Sequence, residues 1–219
     1  MSRFMWIQKF SLQSNRLSRV GIVAAGLLLL LATPALAHHP FGGETPINAI
    51  QGFLSGLGHP VIGLDHLAFV IAAGLLAAVM HRASIPIAFV LAALAGTGGH
   101  LIGIDLPAPE FTISASVLIF GGLLAMKQQP QAWVVTILAA MAGVFHGYAY
   151  GEAIVGADMT SLFAYLLGFT AIQLLISMSA YFIADRLNNG REKGMLNLRF
   201  AGFALAGIGG AFLSSVVLG

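Results

Sequence analysis

Residues 83–104, 128–151, 159–184 and 200–219 contain no Asp, Glu, Lys or Arg. Each run is close to the twenty or so residues that an α-helix needs to cross a hydrocarbon core of about 30 Å. The scarcity holds chain-wide: 8% of residues are charged and 58% are hydrophobic, where a soluble domain carries roughly 25% charge. The fold class expected is therefore an all-α integral membrane protein. Cysteine is absent, which removes disulfides, Cys zinc sites and thiolate chemistry.

The N-terminus is set aside before spans are counted. Arg3, Lys9, Arg16 and Arg19 precede an apolar stretch at 20–32, followed by Pro34 and "ALA" at 35–37. This is the pattern of a cleavable signal peptide ending at Ala37; the alternative is an uncleaved first helix. Cleavage removes four cations and no anion. Residues 38–219 then hold six Lys/Arg against eight Asp/Glu, so no nucleic-acid partner is expected.

Six further spans are expected at about 59–80, 84–104, 111–126, 131–151, 160–185 and 200–218. Short joints separate them: "HRAS" at 81–84, "DLPAPE" at 105–110, "KQQP" at 127–130, "GAD" at 156–158 and "RLNNGREKG" at 186–194. The reading is a six-helix transmembrane bundle at 59–219, preceded by a periplasmic lead-in at 38–58 whose "NAIQGFLSGLG" is a candidate interfacial helix. With the cleaved N-terminus outside, Arg82, Lys127, Arg186, Arg191, Lys193 and Arg199 all fall on the inner side. Glu44, Asp105, Glu110, Glu152 and Asp158 fall outside. The positive-inside bias thus places both mature termini outside a bacterial inner membrane. Gly202, Ala206 and Gly210 stand at four-residue spacing in the last span, a pattern of close helix packing within the chain or between copies.

In so apolar a chain, "HPVIGLDH" at 59–66 asks for an explanation. An ionisable group at the middle of a span costs roughly 2.5–3.5 kcal/mol on insertion scales and faces the bundle interior or a pathway. The topology places Asp65 and His66 in the outer half of the first span, His100 near the outer end of the second, and His146 near the outer end of the fourth, with Glu152 just beyond. Three helices thus bring histidines to one level of the membrane. Imidazole and carboxylate without thiolate suit Ni²⁺, Co²⁺ or Zn²⁺, and a neighbouring carboxylate can orient a ligating imidazole.

On an unbroken helix His59 and His66 would stand about 10 Å apart along the axis, too far for two donors each roughly 2 Å from one ion. Either the stretch bends at Pro60 and Gly63, or the histidines are successive stations on a path. Pro60 suits a first helical turn with His59 as its cap, which favours stations. Cleavage at Ala37 would also expose "HHPFGGE", joining a free amine to His38 and His39 as a metal-capturing arm; the alternative is a plain tail. His81, beside Arg82 in a joint, is expected to be solvated.

The residues now carry a resemblance. "HPVIGLDH" resembles the His-Pro-x-x-Gly-x-Asp-His signature of the HupE/UreJ family. "FHGYAYGE" at 145–152 resembles its second signature, and "LPAPEFTISASVLIFGGLLA" at 106–125 its third-span region. The resemblance covers essentially all of the expected mature chain. It implies a nickel or cobalt permease associated with hydrogenases or ureases, with His59, Asp65, His66 and His146 as functional positions. Tyr150 stands where many members have a second histidine, and Glu152 falls one residue before the usual carboxylate.

The function expected is uptake of Ni²⁺ or Co²⁺ as a transported ligand, with no permanently bound cofactor. The candidate metal residues are His59, Asp65, His66, His146, Glu152, His38, His39 and His100. The bilayer is the surrounding partner, and a homo-oligomer or metalloenzyme maturation proteins are left open. Rival readings are a metal-binding assembly factor without transport, a haem-binding redox protein and a proton conductor. No P-loop, HExxH or nucleophile elbow is present, and Ser55, Ser114 and Ser116 have no assignable catalytic partners. An enzyme is not expected.

Overall fold

The computed structural model describes residues 44–188 and 192–219. The expected signal peptide at 1–37, together with His38 and His39, lies outside the described residues. Among those described there are seven α-helices and no strand: α1 Ala49–Ile62, α2 Leu64–Met80, α3 Ser84–Leu101, α4 Pro109–Ala125, α5 Ala132–Glu152, α6 Met159–Asn188 and α7 Glu192–Leu218.

Local chemistry sets several helix ends. Asn48 caps α1 by accepting the Gln51 N–H at 2.9 Å, and the Gln51 side chain returns the bond to the Ile47 N–H at 3.1 Å. Asp158 opens α6 by accepting the N–H groups of Thr160 and Ser161 at 2.8 and 3.1 Å and the Ser161 hydroxyl at 2.5 Å. These donors hold its carboxyl below the ordinary carboxylate range, the Ser161 hydroxyl contributing most. At the other end of the bundle, Arg199 donates from Nε to the Ala125 carbonyl at 2.8 Å, satisfying the C-terminus of α4.

The α2 helix is the axis of the fold, packing against all six others. Its sequence explains why: after Asp65 and His66, "LAFVIAAGLLAAVM" is apolar all the way round, and a helical stretch with no polar face belongs inside. Around it the helices associate chiefly as α1 with α6, α3 with α5 and α4 with α7. Small residues make these approaches possible. A Cβ on Gly147 would strike the Ala93 carbonyl, and one on Gly121 would strike the backbone of Ala206. Gly202 and Ala206 therefore pack within the chain, and Gly209, rather than Gly210, is the third close position on α7.

Outward-facing Leu91, Phe163, Leu167, Leu175, Phe200 and Phe203 coat the bundle with apolar side chains. Four helical segments, Ser84–Leu101, Ala132–Glu152, Met159–Arg186 and Gly194–Leu218, are long and apolar enough to cross a membrane. The α1–α2 pair qualifies jointly but bends by 78°, and α4 is a shorter apolar helix. The chain is a multi-pass membrane protein.

Three expectations are corrected. The first span does not start at His59, because α1 runs through His59 and Pro60 and the chain breaks at Gly63. His59 is therefore no N-terminal cap; Asn48 has that role. The 48–58 segment forms the helix expected there, with Gly52 and Gly56 set against the α6 backbone at Ser161 and Tyr165. The joint expected at 186–194 is shorter, since α6 reaches Asn188 and α7 begins at Glu192.

Two outcomes follow from packing and capping. Gly147→Ala should lower stability by about 1–3 kcal/mol through overpacking, read from thermal unfolding in detergent. Gly98→Ala, whose new methyl meets nothing within 4 Å, should not. Because the folded pKa of Asp158 is depressed, its contribution is fully present above the unfolded carboxylate value of about 3.9. It is lost as pH falls through the lower folded value. Asp158→Asn should therefore flatten the acid limb of the stability–pH curve.

Candidate functional site

The break at Gly63 creates the site. Pro60 supplies no N–H to the last turn of α1, and Gly63 leaves helical geometry at φ −71°, ψ 98° while donating its N–H to the His59 carbonyl at 3.1 Å. A Cβ at Gly63 would stand 2.6 Å from His66 Cδ2, so the ring lies against a backbone that only glycine leaves open. The α2 helix then restarts with Asp65 in its first turn, where Oδ1 accepts the His66 N–H at 2.8 Å. A carboxylate there is favoured by the helix dipole. Asp65 thus steadies the first turn of α2 in addition to any ligand role.

The bend overturns the reading of His59 and His66 as stations about 10 Å apart. Their ring centroids are 5.6 Å apart. His146 joins them from α5, its Nδ1 2.8 Å from the Nδ1 of His66. On its other side, His146 Nε2 lies 3.0 Å from Ser116 Oγ on α4. Tyr165 on α6 places its hydroxyl 3.2 Å from His59 Nδ1 and donates to the Tyr150 carbonyl at 2.8 Å. The ring of Tyr150 packs on both His59 and His66, with centroids 5.0 and 4.7 Å away. His59, Asp65, His66 and His146 are all buried, His146 completely.

Beyond the cluster the bundle is aromatic. Phe69, one turn after His66, stacks against His146, Phe89 and Phe120 at centroid distances of 4.7, 4.7 and 4.6 Å. The polar cluster therefore rests on an apolar floor.

The remaining candidates stand elsewhere. His100 is partly buried on α3, its ring 4.4 Å from that of Tyr148 and its Cβ against Gly151. Tyr148 in turn donates to Asp105 at 2.7 Å. Glu152 is exposed at the end of α5. His81 is 70% exposed and pairs with Asp185 at 3.5 Å. Among the described residues, no three His, Asp or Glu side chains converge as a ready-made metal centre.

Reading the sequence alone misses Ser116, Tyr150 and Tyr165 as parts of the cluster. Ser116 is weighed there only as a nucleophile, and Tyr150 only as a departure from a pattern. A signal for Tyr165 does exist. Ser161, Tyr165, Phe169, Gln173 and Ser177 recur every four residues and are all fully buried, forming the inward stripe of α6.

Comparison with known proteins now adds the relationship. The family model described as HupE / UreJ protein matches residues 26–212. The chain belongs to the HupE/UreJ family. Protein HupE of Rhizobium leguminosarum bv. viciae is 31% identical over 189 residues, covering 85% of this chain and 94% of that protein. No solved structure matches. Within this HupE/UreJ chain, both quoted signatures contribute side chains to one cluster: His59 and His66 from the first, His146 and Tyr150 from the second.

Burial gives a direct check. Diethyl pyrocarbonate, with modified sites mapped by mass spectrometry, should label His81 readily and leave His146 protected in the folded protein. Gly63→Ala should raise labelling of His66 several-fold by displacing its ring. Equal labelling of His81 and His146 would contradict the buried cluster.

Proposed function

We propose that this chain is a permease that takes up divalent transition-metal ions, nickel or cobalt, from periplasm to cytoplasm. The observation that carries the reading is the buried gathering of His59, His66 and His146 beside Asp65 at a helix break in an apolar bundle. Intramembrane ionisable groups mark ion pathways, and this donor set suits borderline divalent ions. Membership in a family of hydrogenase and urease accessory permeases points the same way.

In this reading the acidic outer face, His38 and His39 catch the ion, and His100 and Glu152 flank its approach. It sheds water at His59, Asp65 and His66, with His146 adjoining. Crossing the Phe69–Phe89–Phe120 floor needs those rings to move apart, which gates the inner half. The cation bias puts both mature termini outside the inner membrane. Six crossings result if α2 to α7 each span, since the 17 residues of α4 meet the lower limit of about 17 for a transmembrane helix. The signal peptide, at 1–37, would be removed. The chain is read as a transporter rather than an enzyme, with metalloenzyme maturation proteins or a second copy as its partners.

The redox alternative fits the geometry poorly. Two axial histidines must sit on opposite faces of a flat haem, whereas His66 and His146 meet nitrogen to nitrogen at 2.8 Å.

The test is metal influx into liposomes holding the purified mature protein and an enclosed dye quenched by Ni²⁺ or Co²⁺. Wild type should show saturable influx, and His66→Ala and Asp65→Asn should lose at least about tenfold of it while remaining folded. Asparagine is chosen at position 65 because it keeps the acceptor for the His66 N–H. Tight binding without influx would favour the assembly-factor reading. Influx of protons without metal would favour the conductor, and neither binding nor flux would end the metal reading.

A further inference from the structure

A helix break inside a membrane leaves backbone groups that something must serve, so the depth of the break at Gly63 matters. Contacts along α6 fix that depth. On α1, a Cβ at Gly52 would strike the Ser161 carbonyl and one at Gly56 the Tyr165 carbonyl. On α2, a Cβ at Gly74 would strike the Ser177 carbonyl, and His81 Nδ1 pairs with Asp185 at 3.5 Å. Both helices therefore accompany α6 in its own direction, as one crossing in two pieces. The break lies between the levels of Tyr165 and Ser177, in the middle of the apolar stretch Met159–Arg186.

An α-helix ends with about four carbonyls that its own N–H groups cannot reach. At the end of α1 the first of these, on His59, accepts from the Gly63 N–H at 3.1 Å. Among the described residues, no backbone N–H from beyond the break is bonded to the carbonyls of Pro60, Val61 and Ile62. The start of α2 is better served, with the His66 N–H on Asp65 Oδ1 and the Leu67 N–H on the Gly63 carbonyl, both at 2.8 Å. Non-helical backbone persists at membrane depth only where protein buries it or water reaches it. Protein does not cover this turn: Val61, Ile62 and Leu64, on either side of Gly63, are 41, 47 and 54% exposed.

We infer that the flank of the break marked by Val61, Ile62 and Leu64 is a water-filled inlet, open to the side of the membrane from which α1 enters. Lipid tails donate no hydrogen bond, so the carbonyls of Pro60, Val61 and Ile62 need water there whatever the chain conducts. In that respect the inlet goes beyond the metal-permease reading. Joined to it, the inlet is the route by which a hydrated cation reaches mid-membrane before losing its water. The last carbonyls of α1 carry the negative end of the helix dipole, which favours cations in that water. On the inner side the stacked rings of Phe69, Phe89 and Phe120 close the bundle, so the water ends at the break.

The chain has no cysteine, so a single introduced thiol reports alone. Val61→Cys, Ile62→Cys and Leu64→Cys would be made in the full chain and treated in spheroplasts with a cationic methanethiosulfonate that does not cross the bilayer. Val155→Cys, on the exposed turn after α5, is the water control. Leu167→Cys and Leu175→Cys, exposed on α6 at the depth of the break, are the lipid controls. Only thiolate reacts, and apolar surroundings suppress it, so the three inlet thiols should react within about tenfold of Val155→Cys and at least about 100-fold faster than the lipid controls. Each substitution replaces an exposed side chain and is scored in protein that elutes as wild type, and three positions keep the test open should one not fold. Reaction as slow as at Leu167→Cys and Leu175→Cys overturns the inlet. Slow reaction combined with oxidative cross-linking between copies overturns it too, by showing that a second copy covers the break. Fast reaction in a chain that gives no metal influx in liposomes would sink the permease and leave the inlet standing, so the two failures are separable.

Discussion

The contact on which the site depends is the 2.8 Å approach of two imidazole nitrogens, His66 Nδ1 and His146 Nδ1. In an interior of low dielectric such a bond is strong when made and costly when one partner is missing. Each neighbouring feature serves to keep it made. The glycine at 63 lets the His66 ring lie against the backbone. Asp65 secures the first turn of α2, and Ser116 occupies the far nitrogen of His146. The fully buried Phe69 and Phe89 exclude solvent that would otherwise compete for the same nitrogens.

The surrounding bundle explains how a polar cluster can sit there at all. In hydrocarbon, apolar side chains gain nothing by leaving lipid for one another, so close backbone approach is what holds helices together. The glycine contacts of α3 with α5 and of α4 with α7 provide that approach. They clamp the pairs that contribute His146 and Ser116. The α1–α6 pair, packed through Gly56 and Gly168, does the same for His59 and Tyr165. Stability and site geometry therefore draw on the same small residues.

Much of this was legible in the sequence, for physical reasons. Long uncharged runs leave little alternative to membrane helices. Histidines and an aspartate inside such runs are costly enough that their meeting could be anticipated. The bend could not be chosen from sequence, because Pro60 suits either a first turn or the last turn of a preceding helix. Only the packing of Gly52 and Gly56 against α6 decides for the latter. Ser116 was hidden for another reason. A serine on an apolar helix ordinarily bonds its own backbone, and Ser116 does so. Its second role appears only once α5 is packed beside it.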